Sequence, residues 1–296
     1  DAVVKLEELD FPDERTCELR KAAFPGQSVR PAGEDFPEGA TVLGARRAVT
    51  PEAEAACLAA GVFELDVLVP PRVLAIPTGS EPADPGALTD GTYPETNSAL
   101  FAGHLARWKA TPTVHALLPD DEGAIREAVE AGLADHDAVL VNAGTSKGRE
   151  DFTVRVLERL GSVLVHGVSM HPGHPVVLGL AAGKPVVGVP GYPVATWVTL
   201  EQFVLPLLER FYGCELQPRH TVRGTLAKTV HASLGELEFV RVRLERGESG
   251  VVVHPLPGKA SALSSLIRAD GVLEVSADLG GVAAGETVEV RLLPAW

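Results

Sequence analysis

The chain has 296 residues, 45% of them hydrophobic but only 5% aromatic, and a formal net charge of −14 at pH 7. That length predicts two domains or three small ones, with cores built from Val, Leu and Ala. The charge argues against nucleic acid or an anionic membrane as partner, but leaves room for an anionic small molecule, since helix N-termini and a few basic residues reverse the potential locally.

In chain order, the opening "DAVVKLEEL" reads as a strand, followed by the Pro-, Gly- and charge-rich connection "PGQSVRPAGEDFPEG". "VTPEAEAACLAAG" predicts a short helix with Thr50 as N-cap, Pro51 at its first position and Gly61 after its end, and "ELDVLV" a strand. From Pro70 the pattern becomes strand, loop, helix. The strands are "RVLAIPTG", "TVHALLP" and "DAVLVNAG", and the helices "TNSALFAGHLARWK", "DDEGAIREAVEAGLA" and "EDFTVRVLERLG". Near-continuous apolar strands between amphipathic helices predict a mostly parallel sheet covered on both faces, a three-layer α/β domain. "GVSMHPGHPVVLGLAAGKPVVGVPGYPVATW" adds three short strands broken at Pro172-Gly173 and Pro190-Gly191, and "VATWVTLEQFVLPLLERFYG" a long helix.

After Gly213 the segments "HTVRGTLAKTV", "LEFVRVRLERG", "SGVVVHPLP", "DGVLEVSADLG" and "ETVEVRLLP" predict strands of a small β domain. The expected organisation is 1–70 as the remainder of N-terminal and linker domains, 71–212 as the α/β domain and 213–296 as the C-terminal β domain. Cys17, Cys57 and Cys214 are far apart and without C-x-x-C spacing, which argues against zinc and a disulfide framework and for a reducing cytoplasm. No run approaches about 18 apolar residues, so no membrane span is expected. The start has neither a secretory n-region nor an initiator Met, and reads as truncated.

Open parallel sheets bind ligands beyond the carboxyl ends of their strands. Five loops converge there: "PTGSEPADPG", "PDDE", "AGTSKGRED", "HPGHP" and "PGYP". In "NAGTSKGRED" small residues precede a helix, which suits a phosphate, although the same loop could be a plain turn. Glu81, Asp120, Asp121 and Asp151 could bind Mg²⁺, which needs one or two carboxylates plus substrate oxygens. Asp120, Asp121 and Asp151 also sit where helix N-terminal acids belong. His171 and His174 could contact an oxyanion or be exposed loop residues, and as a pair they lack two further zinc ligands.

The motifs "TGSEP…PG", "YPETNS", "LPDDEGAI", "AGTSKGREDFT", "MHPGHPVVLG" and "GVPGYPVATWVTLEQFVLPLL" stand in the order seen in the MoeA / gephyrin E-domain family, the molybdopterin molybdenumtransferases. Upstream "DAVV…PGQSVRPAGEDF…G" and closing "GKASALSSLIRADGVLEV…AGETVEV" extend the resemblance over essentially the whole chain. It implies insertion of molybdate or tungstate into adenylylated molybdopterin, with Mg²⁺, release of AMP, a homodimer, and a MogA-like adenylyltransferase as a further partner. Glu81, Asp120 and Asp151 match the family's catalytic and metal-binding acids. The substrate-facing set becomes Thr78, Gly79, Ser80, Asn97, Gly144, Thr145, Ser146, Lys147, Gly148, His171, His174, Pro190, Tyr192 and Pro193.

This chain departs from the family in having His171 and His174 where lysines are usual, Tyr192 for an Asn, and Lys147 in the phosphate loop. Histidine is largely neutral at pH 7, so oxyanion binding is expected to strengthen as pH falls through about 6.5, the ordinary histidine value. Two alternatives to the transferase stay open: a catalytically silent molybdopterin- or oxyanion-binding module, and a MogA-like adenylyltransferase. The appended β segment counts against the second.

Overall fold

The structure is a computed structural model describing residues 1–296 except 81, 84–85, 87, 144–151, 218, 248–249 and 295–296. The chain divides into two compact units, 1–67 and 68–296.

In the first unit, β1 (Leu9–Asp13) and β2 (Thr16–Leu19) form an antiparallel hairpin. The expected opening strand thus begins only at Leu9, because Leu6–Glu8 is a 3-10 turn. Helix α1 (Pro51–Ala59) has the predicted cap, with the Thr50 hydroxyl accepting from Ala53 N at 3.2 Å. The expected strand "ELDVLV" is absent: residues 64–69 pair with no strand, and Phe63, Val67 and Val69 are exposed. Its apolar composition matched a strand, but a strand also needs a hydrogen-bonding partner.

In the second unit the chain runs through β3 (Arg72–Pro77), β4 (Pro82–Ala83), β5 (Tyr93–Pro94), α2 (Asn97–Arg107), β6 (Thr111–Val114), α3 (Glu122–Asp135), β7 (Ala138–Ala143) and α4 (Phe152–Leu160). Then come β8 (Gly161–His166), β9 (Met170–His171), β10 (Val177–Ala181), β11 (Lys184–Pro190), α5 (Pro193–Thr199) and α6 (Leu205–Tyr212). The first sheet has the order β6-β3-β7-β11-β10-β8. Neighbours from β6 to β11 are parallel, and β10 is antiparallel to both β11 and β8.

Strand side chains alternate between two cores. Val73, Ala75, Leu140, Val187 and Val189 pack with Phe101 and Leu105 of α2 and with Trp197, Val198 and Leu205 of the closing helix. Leu74, Ile76, Val139, Val141 and Val186 pack with Ile125 and Val129 of α3 and Val156 and Leu157 of α4. The sheet is covered on both faces, which is why its strands read as unbroken apolar runs. The class is α/β, with a mostly parallel sheet in three layers.

The predicted long helix is interrupted. Between α5 and α6 a π turn spans Leu200–Val204, with Leu205 N donating to Leu200 O. Pro206 has no N–H and its ring crowds the carbonyl four residues back, so the chain widens there rather than continuing as α-helix. The helix stops at Gly213, whose φ of +67° suits a left-handed cap.

The remaining elements are β12 (Thr221–Leu226), β13 (Val230–His231), β14 (Leu237–Gly247), β15 (Gly250–Pro255), α7 (Ser264–Arg268), β16 (Gly271–Val275), β17 (Gly281–Val282) and β18 (Thr287–Leu292). Helix α7 has no counterpart among the elements that the sequence pattern predicts. A second six-stranded sheet has the order β15-β12-β18-β16-β14-β9. Its last member comes from the other half of the chain: β9, just before the first proline corner, pairs in parallel with β14 through Leu237↔Met170 and Glu238↔His171. Val242, Val253, Leu273 and Val290 form a core of this sheet, while Phe239 and Val272 join the core beneath α2 and α5.

Candidate functional site

The strands β3, β7 and β11 end side by side, with Pro77 opposite Asn142 and Pro190 opposite Ala143. Beyond β3, Thr78 is buried. Its hydroxyl lies 3.1 Å from Asp120 Oδ1 and 3.1 Å from the carbonyl of Asn142. Gly79 N donates to Leu118 O at 3.0 Å. The exposed carboxylate of Asp120 is therefore anchored at the sheet edge by Thr78. Asp121 serves the helix instead, since its Oδ1 accepts from Ala124 N at 2.8 Å and caps α3.

Helix α2 also starts at this edge. Glu95 Oε1 accepts from the backbone N–H groups of Asn97 and Ser98 at 2.7 and 3.2 Å. Two first-turn donors of α2 are thus already taken by a carboxylate. The Asn97 side chain, 5% exposed, donates to Gly191 O at 2.7 Å and to Asn142 Oδ1 at 2.9 Å. Asn142 in turn donates to the carbonyls of Val189 and Pro190, and Thr196 Oγ1 donates to Pro190 O at 2.7 Å. The second proline corner is held from three sides. Tyr192 is exposed at the N-cap position of α5, where Pro193 takes the first place.

The first corner lies at the same end of the sheet, because Val177, which follows it, pairs with Gly188 just before the second. Gly173 has a φ of +115°, and a Cβ there would stand 2.5 Å from Met170 Cε, so the turn requires glycine. The two histidines have different surroundings. His171 is exposed, and its Nδ1 lies 2.8 Å from Glu238 Oε1. It lines an open pocket of about 300 Å³ with His231, Ser233, Glu236 and Glu238. His174 is half-buried against Gly167, and its Nδ1 has no partner among the described residues.

Glu81, Gly144, Thr145, Ser146, Lys147, Gly148 and Asp151 lie outside the described residues. Of the expected set, the structure brings Thr78, Gly79, Ser80, Asn97, Asp120, Pro190, Tyr192 and Pro193 to one edge. Among the described residues, no group of three or more His, Cys, Asp or Glu could hold a metal ion.

Sequence reasoning passed over Asn142, which reads as the last polar residue of an apolar strand. It also passed over Glu238 and the segment around Lys259. Val194 N donates to Ala260 O at 2.9 Å, which sets that segment against the first turn of α5. These neighbours are tens of residues away in the chain, and no local pattern announces them.

Residues 75–210 match the family described as "Probable molybdopterin binding domain", and residues 223–293 match "MoeA C-terminal region (domain IV)". The chain is 32% identical to molybdopterin molybdenumtransferase 2 of Mycobacterium tuberculosis, over 98% of this chain and 73% of that protein. It is 28% identical to the molybdopterin molybdenumtransferase of Haemophilus influenzae, with the same shares. A crystal structure of a molybdopterin biosynthesis MoeA protein from a Pyrococcus species superposes with a TM-score of 0.83 at 28% identity. That superposition covers all of this chain and 73% of the other.

Proposed function

This chain belongs to the MoeA family, and from that membership we propose that it is a molybdopterin molybdenumtransferase of molybdenum cofactor biosynthesis, inserting molybdate or tungstate into adenylylated molybdopterin with release of AMP. The observation that carries this reading is the meeting, at one sheet edge, of the Thr78–Asp120 pair, Asn97 and the Pro190 corner. Residues 71–212 would supply the ligand loops, and 213–296 would support them.

In this reading the loop Gly144–Gly148 takes the pterin phosphate on its backbone N–H groups, with Ser146 and Lys147 assisting. Asp120, with Glu81 and Asp151, would hold magnesium. Asp120 fits, being an exposed hard oxygen donor, and magnesium asks for only one or two carboxylates beside substrate oxygens. Magnesium held there would offset phosphate charge and ease departure of AMP. Thr78 fixes the Asp120 carboxylate by donating to it, and the two proline corners hold the histidines and backbone amides in place before the oxyanion arrives. Glu238 beside His171 opposes an anion there, so the larger attraction falls to His174. A cytoplasmic homodimer receiving its substrate from a MogA-like adenylyltransferase completes the proposal.

The test is anaerobic incubation of the chain with adenylylated molybdopterin, molybdate and Mg²⁺, with AMP quantified by chromatography. Mg²⁺- and molybdate-dependent AMP release is expected. Ligand binding without AMP release would leave a silent binding module, and no binding would overturn the reading altogether.

A further inference from the structure

Asn142 stands at the centre of the site without having been a candidate for it. It is the fifth residue of β7, 4% exposed, two positions ahead of Gly144. Carbonyl oxygens only accept, so the Asn97 atom 2.7 Å from Gly191 O is its amide nitrogen. By the same logic the Asn142 atom 3.2 and 3.1 Å from the carbonyls of Val189 and Pro190 is nitrogen. Both amide orientations follow from the network. The second Asn97 N–H goes to Asn142 Oδ1. What remains is Asn97 Oδ1, buried and without a partner among the described residues. Buried polar atoms are almost always paired, and one left single among the described residues at a ligand edge offers a place for a donor from the ligand.

We propose that Asn97 Oδ1 accepts a hydrogen bond from an N–H or O–H group of the bound ligand, and that Asn142 is the positioning residue that turns it to do so. This rests on the molybdopterin reading of the site. Asn142 occupies the Asn97 amide nitrogen and binds the Pro190 corner at its other end, so one side chain ties β7, β11 and α2 together. The consequence for specificity is direct. A bare acceptor repels the unprotonated oxygens of molybdate or phosphate and selects a donor, such as a pterin ring N–H or a nucleotide ribose hydroxyl.

The experiment is anaerobic titration with molybdopterin and, separately, with AMP, using the parent chain, Asn97→Ala, Asn142→Ala and the double variant. Asn97→Ala should weaken one probe by about tenfold, as expected for one buried hydrogen bond. The affected probe identifies whether the donor belongs to the pterin or to the nucleotide. Asn142→Ala should weaken the same probe, and the double variant should bind it no worse than Asn97→Ala, because Asn142 acts through Asn97. Losses that multiply to about a hundredfold in the double variant would overturn the positioning role. Affinities unchanged in Asn97→Ala would overturn the acceptor. Should Asn142→Ala fail to fold, Asn142→Ser, checked by thermal melting, takes its place in the same cycle. A parent chain that binds neither probe overturns the functional reading as well; one that binds both, with affinities unchanged in Asn97→Ala, overturns only this inference.

Discussion

Arg291 Nη1 lies 3.1 Å from Glu201 Oε2, with both side chains less than a tenth exposed. The guanidinium also meets Glu274 Oε1 at 3.2 Å through Nε and sits 5.9 Å from the centre of the Trp197 ring. A residue of β18 is thereby bound to the π turn of the helix that closes the first sheet. Burial pushes the Glu201 carboxyl above its ordinary value, and the charge of Arg291 opposes that rise.

Arg291→Met should therefore cost about 3–5 kcal/mol, because it strands a buried carboxylate. Glu201→Gln should cost less, since Glu274 still partners the arginine. The combined variant should regain most of the loss. Urea unfolding of the three proteins decides it, and an unchanged midpoint for Arg291→Met would show that the pair contributes nothing.

His104 gives a pH dependence. It is 8% exposed beside Trp108, and burial, with a smaller push from Arg107, lowers its pKa from 6.5 to about 4. Folded, it stays neutral where the unfolded chain is protonated. Stability is then full above about pH 6.5 and falls as pH drops toward 4, by about 1.4 kcal/mol per pH unit and about 3 kcal/mol in all. His104→Gln should remove this component, leaving a flatter stability curve between those limits. Identical curves for both proteins would refute the assignment.

Asp120→Asn keeps an oxygen able to accept from Thr78 but removes the charge. We expect an unchanged melting temperature with Mg²⁺ affinity in the AMP-release assay weakened by at least about tenfold. A variant that titrates with Mg²⁺ as the parent does would move the metal away from Asp120.

Lysine in place of both corner histidines should flatten the pH dependence of molybdate affinity between about pH 5.5 and 8.5, since lysine stays charged throughout that range. Most of the effect should come from His174→Lys, because at position 171 the Glu238 carboxylate, 2.8 Å from the present imidazole, would neutralise the new cation. Isothermal titration with molybdate speciation controlled reads this directly. A parent protein that binds tightly with no pH dependence would reduce both corners to structural turns.

Local chemistry alone determined much of this protein. Thr50 and Pro51 fixed the start of α1. The doubly apolar strands around Leu74, Leu140 and Val187 announced a sheet covered on both faces, and the strand ends marked the edge where Thr78, Asp120 and Pro190 now stand. Those features follow from steric limits on a few consecutive residues and from burial on both sides, which a sequence records position by position. Only the tertiary structure decided that residues 64–69 form no strand, that Met170 and His171 join the second sheet, and that Asn142 locks Asn97. In each case a hydrogen bond joins, or fails to join, residues tens of positions apart. Such a partner is chosen by how whole elements pack, and no stretch of neighbouring residues encodes it.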